Sequence, residues 1–459
     1  MASLNPDAVP ANLQRVLKKV NNYKRNVVKL LPDSSSSVSP NGQLRVKLPT
    51  NLVVNMSSIQ MHGDLTIAAA AAQCPAPEQF ISQVDFRAGG QSLMHINNYG
   101  DCFQTLANAT MSNAHQATRH VMADGLGPHE EFESVAGDLT TARNTIETNA
   151  ADEVGDFGAG AGVLIRRDVY DSLATGTYYP VTSSWLGLQD LGYLACDMLP
   201  QCELELPMAG NEILGSAAGA ATWAYSNVYF TIETIQYPTY QNSLYAVVTP
   251  DPDNGYAGAE VYYPFKRYVN LMFGKDTSSS VDLKFSVASS SLSKIFFSCK
   301  NNAYATAAAK TDGNPPNYWI FTDTSNTQKI KELQCFIDER VYPNYRIENG
   351  GPAYAANYEG GSCLAHNLRE AGVHNDNQFD CLIPSEQTFK RCKWFALWNF
   401  ENLSGDDQMS GINTMGLSSG IRIHIDWTAA PATGGNYYAF LETDAVLAVG
   451  SGRQVRVEY

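Results

Sequence analysis

Cys363, His366, His374 and Cys381 are the residues whose types come nearest to a metal site. Thiolate and imidazole are preferred zinc donors, but structural zinc sites bring them in close pairs at regular short spacings. Here two, seven and six residues intervene, which matches no such pattern. The simpler expectation is a helix, a loop and a core thiol. The eight histidines (His62, His95, His115, His120, His129, His366, His374 and His424) contain no His-x-His pair. A bicupin-type metal centre needs paired histidines and a carboxylate, so His424 is read as an ordinary strand residue. His129-Glu130-Glu131 lacks the second histidine of a metalloprotease helix. Asp156-Phe157-Gly158 stands without the glycine-rich and catalytic loops of a kinase. Gly155, Gly158, Gly160 and Gly162 close an acidic stretch, which repels phosphate, and Gly274-Lys275 lacks the upstream glycine of a P-loop. No Gly-x-Ser-x-Gly nucleophile elbow occurs. Tyr437, Tyr438 and Phe440 could stack on single-stranded nucleic acid, but they run along a strand, where sheet packing is the commoner fate. The sequons at Asn55, Asn108 and Asn402 need a secretory route to matter. No catalytic residue, metal ligand or cofactor site is assigned.

The elements that would position such residues are strands. Ile421-Arg422-Ile423-His424-Ile425-Asp426-Trp427 alternates apolar and polar residues, the period of a strand with one buried face. Cys202-Glu203-Leu204-Glu205-Leu206-Pro207 does the same. Each is followed by a small-residue loop and a second β-rich run, Asn227 to Ile235 and Asn436 to Leu447. Those runs share an Asn-x-Tyr-x-x-hydrophobic-Glu-Thr frame 209 residues apart. Two matched strand pairs in the same order indicate one β-domain built twice.

The chain has 459 residues, 44% hydrophobic and 17% charged, with 24 tyrosines and 18 phenylalanines. That describes a globular protein of many strands. Nine irregularly spaced cysteines point to buried thiols in a reducing compartment. Residues 1–14 are polar, with Asp7 and two prolines, and do not read as a secretory signal. Net charge is −15, yet residues 1–32 carry +5: Arg15, Lys18, Lys19, Lys24, Arg25 and Lys29 against Asp7. An acidic body repels nucleic acid, so only this segment could draw an anion. Leu13, Val16, Leu17 and Val20 fall at helical spacing within it. Residues 1–39 are therefore expected to form a basic arm and a flexible joint, and 40–237 a first β-domain. Residues 238–258 should be a linker and 259–459 a second β-domain. Residues 123–162, with nine acids against Arg143, read as a surface excursion. Each half offers about eight strands and one helix, the proportions of an eight-stranded jelly roll. An all-β fold of two tandem jelly rolls is expected.

At four places the residues resemble a known lineage. They are Leu44 to Leu52 after the basic arm, Val84 to Tyr99 with Ile96-Asn97-Asn98-Tyr99, Leu194 to Pro207, and Ser410-Gly411-Ile412-Asn413 through Val457. In order and spacing the chain resembles the double jelly-roll major capsid proteins of adenoviruses, tailless membrane-containing phages and large eukaryotic DNA viruses. Within them it is most similar to polinton-like virus and virophage members. The resemblance implies a structural protein rather than an enzyme. It implies a homotrimer whose six jelly rolls make a pseudo-hexagonal capsomer, tiling an icosahedral shell beside neighbouring capsomers, penton proteins and minor or cement proteins. The arm, through its six basic residues, would face inward to an internal membrane or the genome, in the capsid of a virion whose protein is synthesised inside the host cell. Two other classes stay open on the residues alone. One is a paired jelly-roll enzyme, such as an amidase or a metal-dependent oxygenase, with His or carboxylates converging at the domain seam. The other is a glycan-binding module, which would want a secretory signal.

Overall fold

The computed structural model describes residues 24–68, 76–110, 176–214, 221–236, 238–254, 256–301, 330–348, 361–370, 394–401, 410–431 and 435–459. In the first half, strands β1 (Lys24–Leu30), β2 (Gln43–Lys47), β3 (Val53–Ile67), β4 (Gln83–Ala88) and β5 (Gln91–Asn97) precede helix α1 (Tyr99–Thr110). Short strands β6 (Gly176–Tyr178), β7 (Val181–Thr182) and β8 (Tyr193–Ala195) follow, then β9 (Cys202–Pro207) and β10 (Trp223–Gln236). They form two antiparallel sheets. Sheet 1a has the order β1-β10-β3-β6, with β7 and β8 also on β3; sheet 1b has the order β2-β9-β4-β5.

The second half begins after helix α2 (Pro238–Val248) with β11 (Val261–Lys275), β12 (Ser280–Phe285), β13 (Leu292–Asn301), β14 (Ile330–Ile337) and β15 (Arg340–Glu348). Helix α3 (Gly361–Glu370) precedes β16 (Ala396–Asn399), β17 (Ile421–Trp427), β18 (Gly435–Val449) and β19 (Val455–Glu458). Sheet 2a is β11-β18-β13-β16, with β19 also on β18, and sheet 2b is β12-β17-β14-β15. In strand order 2b repeats 1b, and 2a repeats 1a with β19 added. The short strands β6 to β8 together take the place of β16, and α1 and α3 sit at the same point of each half. Two eight-stranded jelly rolls in tandem result, as the doubled motif predicts.

The alternation read from sequence is the alternation of burial. Every second residue of Ile421–Trp427 is buried and those between are half-exposed. Between the sheets of the second roll, Phe297 stacks on Tyr437 at 5.8 Å and meets Trp394 edge-on. The buried Trp427 indole donates to the Tyr437 hydroxyl at 2.9 Å, so its polar end is satisfied inside the core. In the first roll Phe80 meets Trp223 and Tyr225 edge-on. The Trp185 indole donates to the Ile59 carbonyl at 2.8 Å.

Several boundaries differ from the sequence reading. The first sandwich starts at Lys24, not Pro40. Lys24–Leu30 pairs antiparallel with β10 from Lys24 opposite Gln236 to Leu30 opposite Phe230. Val28 and Leu30 are its half-buried residues, too few to announce a strand beside so many charges. The expected joint at Ser34 to Ser39 is tied down, because Val38 and Tyr225 exchange backbone hydrogen bonds at 2.8 and 2.9 Å. Ahead of β4, which starts at Gln83, Pro77–Phe80 forms a short 3-10 turn. Val261 to Phe273 is a single strand; it lies at the edge of its sheet, where Pro264 is tolerated. Residues 123–162 lie outside the described residues.

Candidate functional site

The polar residues that sequence singled out do not converge. His424 lies on β17, where Nδ1 is 2.9 Å from Asp282 and Nε2 is 3.3 Å from Asp426. It is one step in a ladder of charges on the outer face of sheet 2b. Cys363 and His366 are buried on α3, while His374 and Cys381 lie outside the described residues. His366 Nε2 meets the Leu397 carbonyl at 2.8 Å. Its neighbour Asn367 donates to the Phe395 carbonyl at 2.6 Å and accepts from the Leu397 amide at 2.9 Å. Glu370 accepts from the Asn399 amide at 3.2 Å. The helix thus satisfies the outward backbone groups of β16, the edge strand of sheet 2a, and closes that edge to other strands. Burial pushes the Cys363 thiol up to about 12, which makes it a core residue and a poor nucleophile. Among the described residues no group of three His, Cys, Asp or Glu is placed to hold a metal ion.

Tyr437 points into the core, whereas Tyr438 and Phe440 lie on the opposite face of β18 and are also buried. Gly274 and Lys275 belong to the sheet as the last residues of β11. Asn55 is half-buried on β3, and Asn108 lies in α1. Of the six basic residues assigned to the arm, Lys24, Arg25 and Lys29 lie on β1, and Arg15, Lys18 and Lys19 lie outside the described residues. Arg25 pairs with the buried Glu233 at 2.6 Å. Lys29 Nζ lies 3.8 Å from the centre of the Tyr229 ring.

What the structure does assemble is a seam between the rolls, built on the outer face of sheet 2a. That face carries Lys266, Tyr268 and Asn270 from β11, Tyr438, Phe440, Glu442 and Asp444 from β18, and Lys294 from β13, as their registers require. It lies against β5, α1 and the turn Gln189–Leu191 of the first roll. The Lys266 amide donates to Asp190 at 3.1 Å, and Asn270 donates from its side chain to the Asn97 carbonyl. Gly187 (φ +74°) comes so close that a Cβ there would stand 2.5 Å from the Lys266 carbonyl oxygen.

A cluster of charges lies at one end of this seam. Lys266 Nζ lies 2.7 Å from Asp444 and 2.9 Å from Glu401, and Lys294 Nζ lies 3.1 Å from Glu442. Burial alone would lower the Lys266 pKa. Hydrogen bonds to Asp444 and Glu401 and the charges of Glu442 and Asp444 outweigh it, and the group is raised. Burial, with Glu442 and Asp190 nearby, drives the Tyr268 phenol well above its ordinary range. The cluster therefore pairs its charges with one another.

The same clamp occurs in the first roll. Glu233 takes the place of Glu442, Arg25 that of Lys266 and Asn55 that of Lys294. Asn55 Nδ2 is 3.4 Å from Glu233. The Glu-Thr pair of the repeated motif was the trace of this clamp in the sequence. Its basic partners sit on other strands and left no signal of their own.

Comparison with solved structures gives this architecture its class. The crystal structure of PBCV-1 VP54, fitted into a reconstruction of the virophage Sputnik, matches over 96% of this chain and 98% of that one, at 12% identity and a TM-score of 0.58. The Faustovirus major capsid protein matches over 94% of this chain and 92% of that one, at 8% identity and a TM-score of 0.58. A quasi-atomic model of the PBCV-1 virus capsid matches over 96% and 98%, at 11% identity and a TM-score of 0.56. No protein-family model and no curated protein sequence matches the chain. By its sheet order, its repeat and its full-length structural likeness, the protein has the double jelly-roll fold of these viral capsid proteins.

Proposed function

We propose that the chain is a major capsid protein, which trimerises into pseudo-hexagonal capsomers that tile an icosahedral shell. The observation that carries the reading is the tandem itself: two jelly rolls of one topology, packed through one long seam, with structural likeness to capsid proteins over nearly the whole length of both chains. A subunit of two like sandwiches lets three chains imitate six-fold packing. The role is structural rather than catalytic, and its place is the virion shell. Neighbouring capsomers, penton proteins and minor or cement proteins would be its partners. Arg15, Lys18 and Lys19, carried ahead of β1, would contact an internal membrane or the genome. The pairing of the seam charges with one another favours this over the enzyme reading, which wants carboxylates or histidines converging on substrate.

Purified full-length protein, sized by light scattering and imaged by electron microscopy, should give trimers or six-sided towers. A soluble monomer at all concentrations would sink the reading.

A further inference from the structure

We propose that the exposed outer face of sheet 1a docks strand β15 and helix α3 of a second copy of this chain, with Lys29 of one copy meeting Glu348 of the other. The inference rests on the capsid reading and deepens it by naming the two surfaces.

The chain already contains one such interface. Sheet 2a is covered by β5, α1 and the turn Gln189–Leu191 of the first roll. Sheet 1a repeats sheet 2a in strand order, and β1 lies on β10 in the register of β11 on β18, yet at Val27, Lys29 and Leu31 its outer face is exposed. Tyr268 is 6% exposed in the seam, and Val27, at its place in sheet 1a, is 61% exposed. Leu31, just beyond β1, is 65% exposed. The covering side has an unused duplicate too. β15 and α3 repeat β5 and α1, and Tyr345 stands three residues before the end of β15, as Met94 does in β5. Met94 is buried, reaching Gly187 beside Lys266, while Tyr345 is 44% exposed. One chain therefore holds one closed seam, one spare face and one spare flank to fit it. A head-to-tail contact between unlike surfaces can close like copies into a ring.

Register selects the charge pair. In the seam Asn270 donates to the Asn97 carbonyl. Asn270 lies opposite Phe440, two residues before Glu442; Lys29 lies opposite Thr231, two residues before Glu233. Asn97 ends β5 opposite Gln83; Glu348 ends β15 opposite Glu332. A neutral pair closes the seam within the chain, and at the corresponding places the spare surfaces carry opposite charges. Lys29 and Glu348 are both exposed and available to a partner. An ion pair between copies adds orientation and on-rate as well as affinity.

The test is charge exchange on the full chain. Lys29→Glu alone and Glu348→Lys alone should each weaken association, measured by sedimentation equilibrium, by about tenfold or more, and the double variant should recover most of it. Circular dichroism checks that each variant folds. In the wild type, a carbodiimide should join Lys29 to Glu348 between copies, which mixing isotopically labelled and unlabelled chains identifies by mass spectrometry. Wild-type protein that assembles while both single variants assemble equally well, or a double variant that stays as weak as the singles, would overturn the surfaces and leave the capsid reading standing. Wild-type protein that never assembles would overturn both.

Discussion

Gly187→Ala should loosen the packing of the two rolls. Gly187 has φ +74°, and an added Cβ would stand 2.5 Å from the Lys266 carbonyl oxygen and 3.0 Å from the Met94 sulfur. The left-handed backbone costs an alanine ~1–2 kcal/mol. Forcing a methyl group into a closed contact costs a further ~1–3 kcal/mol, because neither the β11 backbone nor the buried Met94 can retreat without opening the seam. The total is about 2–5 kcal/mol. Gly452 supplies the control, with φ 69° and ψ 22° and nothing within 4 Å of its added Cβ. There an alanine should cost only the backbone part. For a unit of this size each kcal/mol moves the midpoint by ~2–4 °C. By calorimetry Gly187→Ala should melt roughly 10 °C early, and Gly452→Ala about 4 °C. Equal losses in the two variants would refute the close approach of the rolls at Gly187.

Two further outcomes follow from charges in fixed places. Lys266→Met should destabilise by about 2 kcal/mol in urea unfolding at neutral pH, because Asp444 and Glu442 stay buried with Lys294 as the remaining cation. The folded pKa of Lys266 is raised, so its contribution is complete below the unfolded value and fades as pH rises through the folded one. The wild type should therefore show an alkaline loss of stability that Lys266→Met lacks. His366 is the opposite case. Burial foremost, with Arg369 assisting, lowers its pKa against the pull of Glu370 and the Leu397 carbonyl. Protonation then favours the unfolded chain, and stability should fall as pH drops below about 6.5, the ordinary histidine value. Urea unfolding of His366→Gln should show a shallower acid decline; an unchanged slope would remove His366 as its source.

The fold was legible where a strand buries one face and shows the other to water. Ile421–Trp427 and Cys202–Pro207 are such strands, and their order with the runs that follow revealed the duplication. β15 gave no such signal, because in Arg340–Glu348 only Ile347 is fully buried, and Pro343 and Asn344 interrupt the run. β1 was lost among lysines for the same reason, since an edge strand with two half-buried residues has almost no period to read. The seam was illegible in a different way. β18 is buried on nearly every residue, and a strand covered on both faces no longer says which residues look inward. Tyr438 and Phe440 therefore looked like possible stacking residues, when they are covered by the neighbouring roll.

The duplicated clamp explains why a face made for covering can carry a carboxylate. An unpaired acid on a surface to be buried would lose hydration at docking and oppose it. Glu442 avoids that cost through Lys294 and Lys266, and Glu233 through Arg25 and Asn55. Glu233 is already buried, beside the buried Ile235 and Val53 and paired with Arg25. Its charge is satisfied before any partner arrives, so docking there would bury mainly Val27, Leu31 and the ring of Tyr229. The positions free to differ between the two rolls are those around the clamp, where Lys29 and Val27 stand in place of Asn270 and Tyr268. One face thereby suits the chain's own first roll, and the other remains open to a different copy.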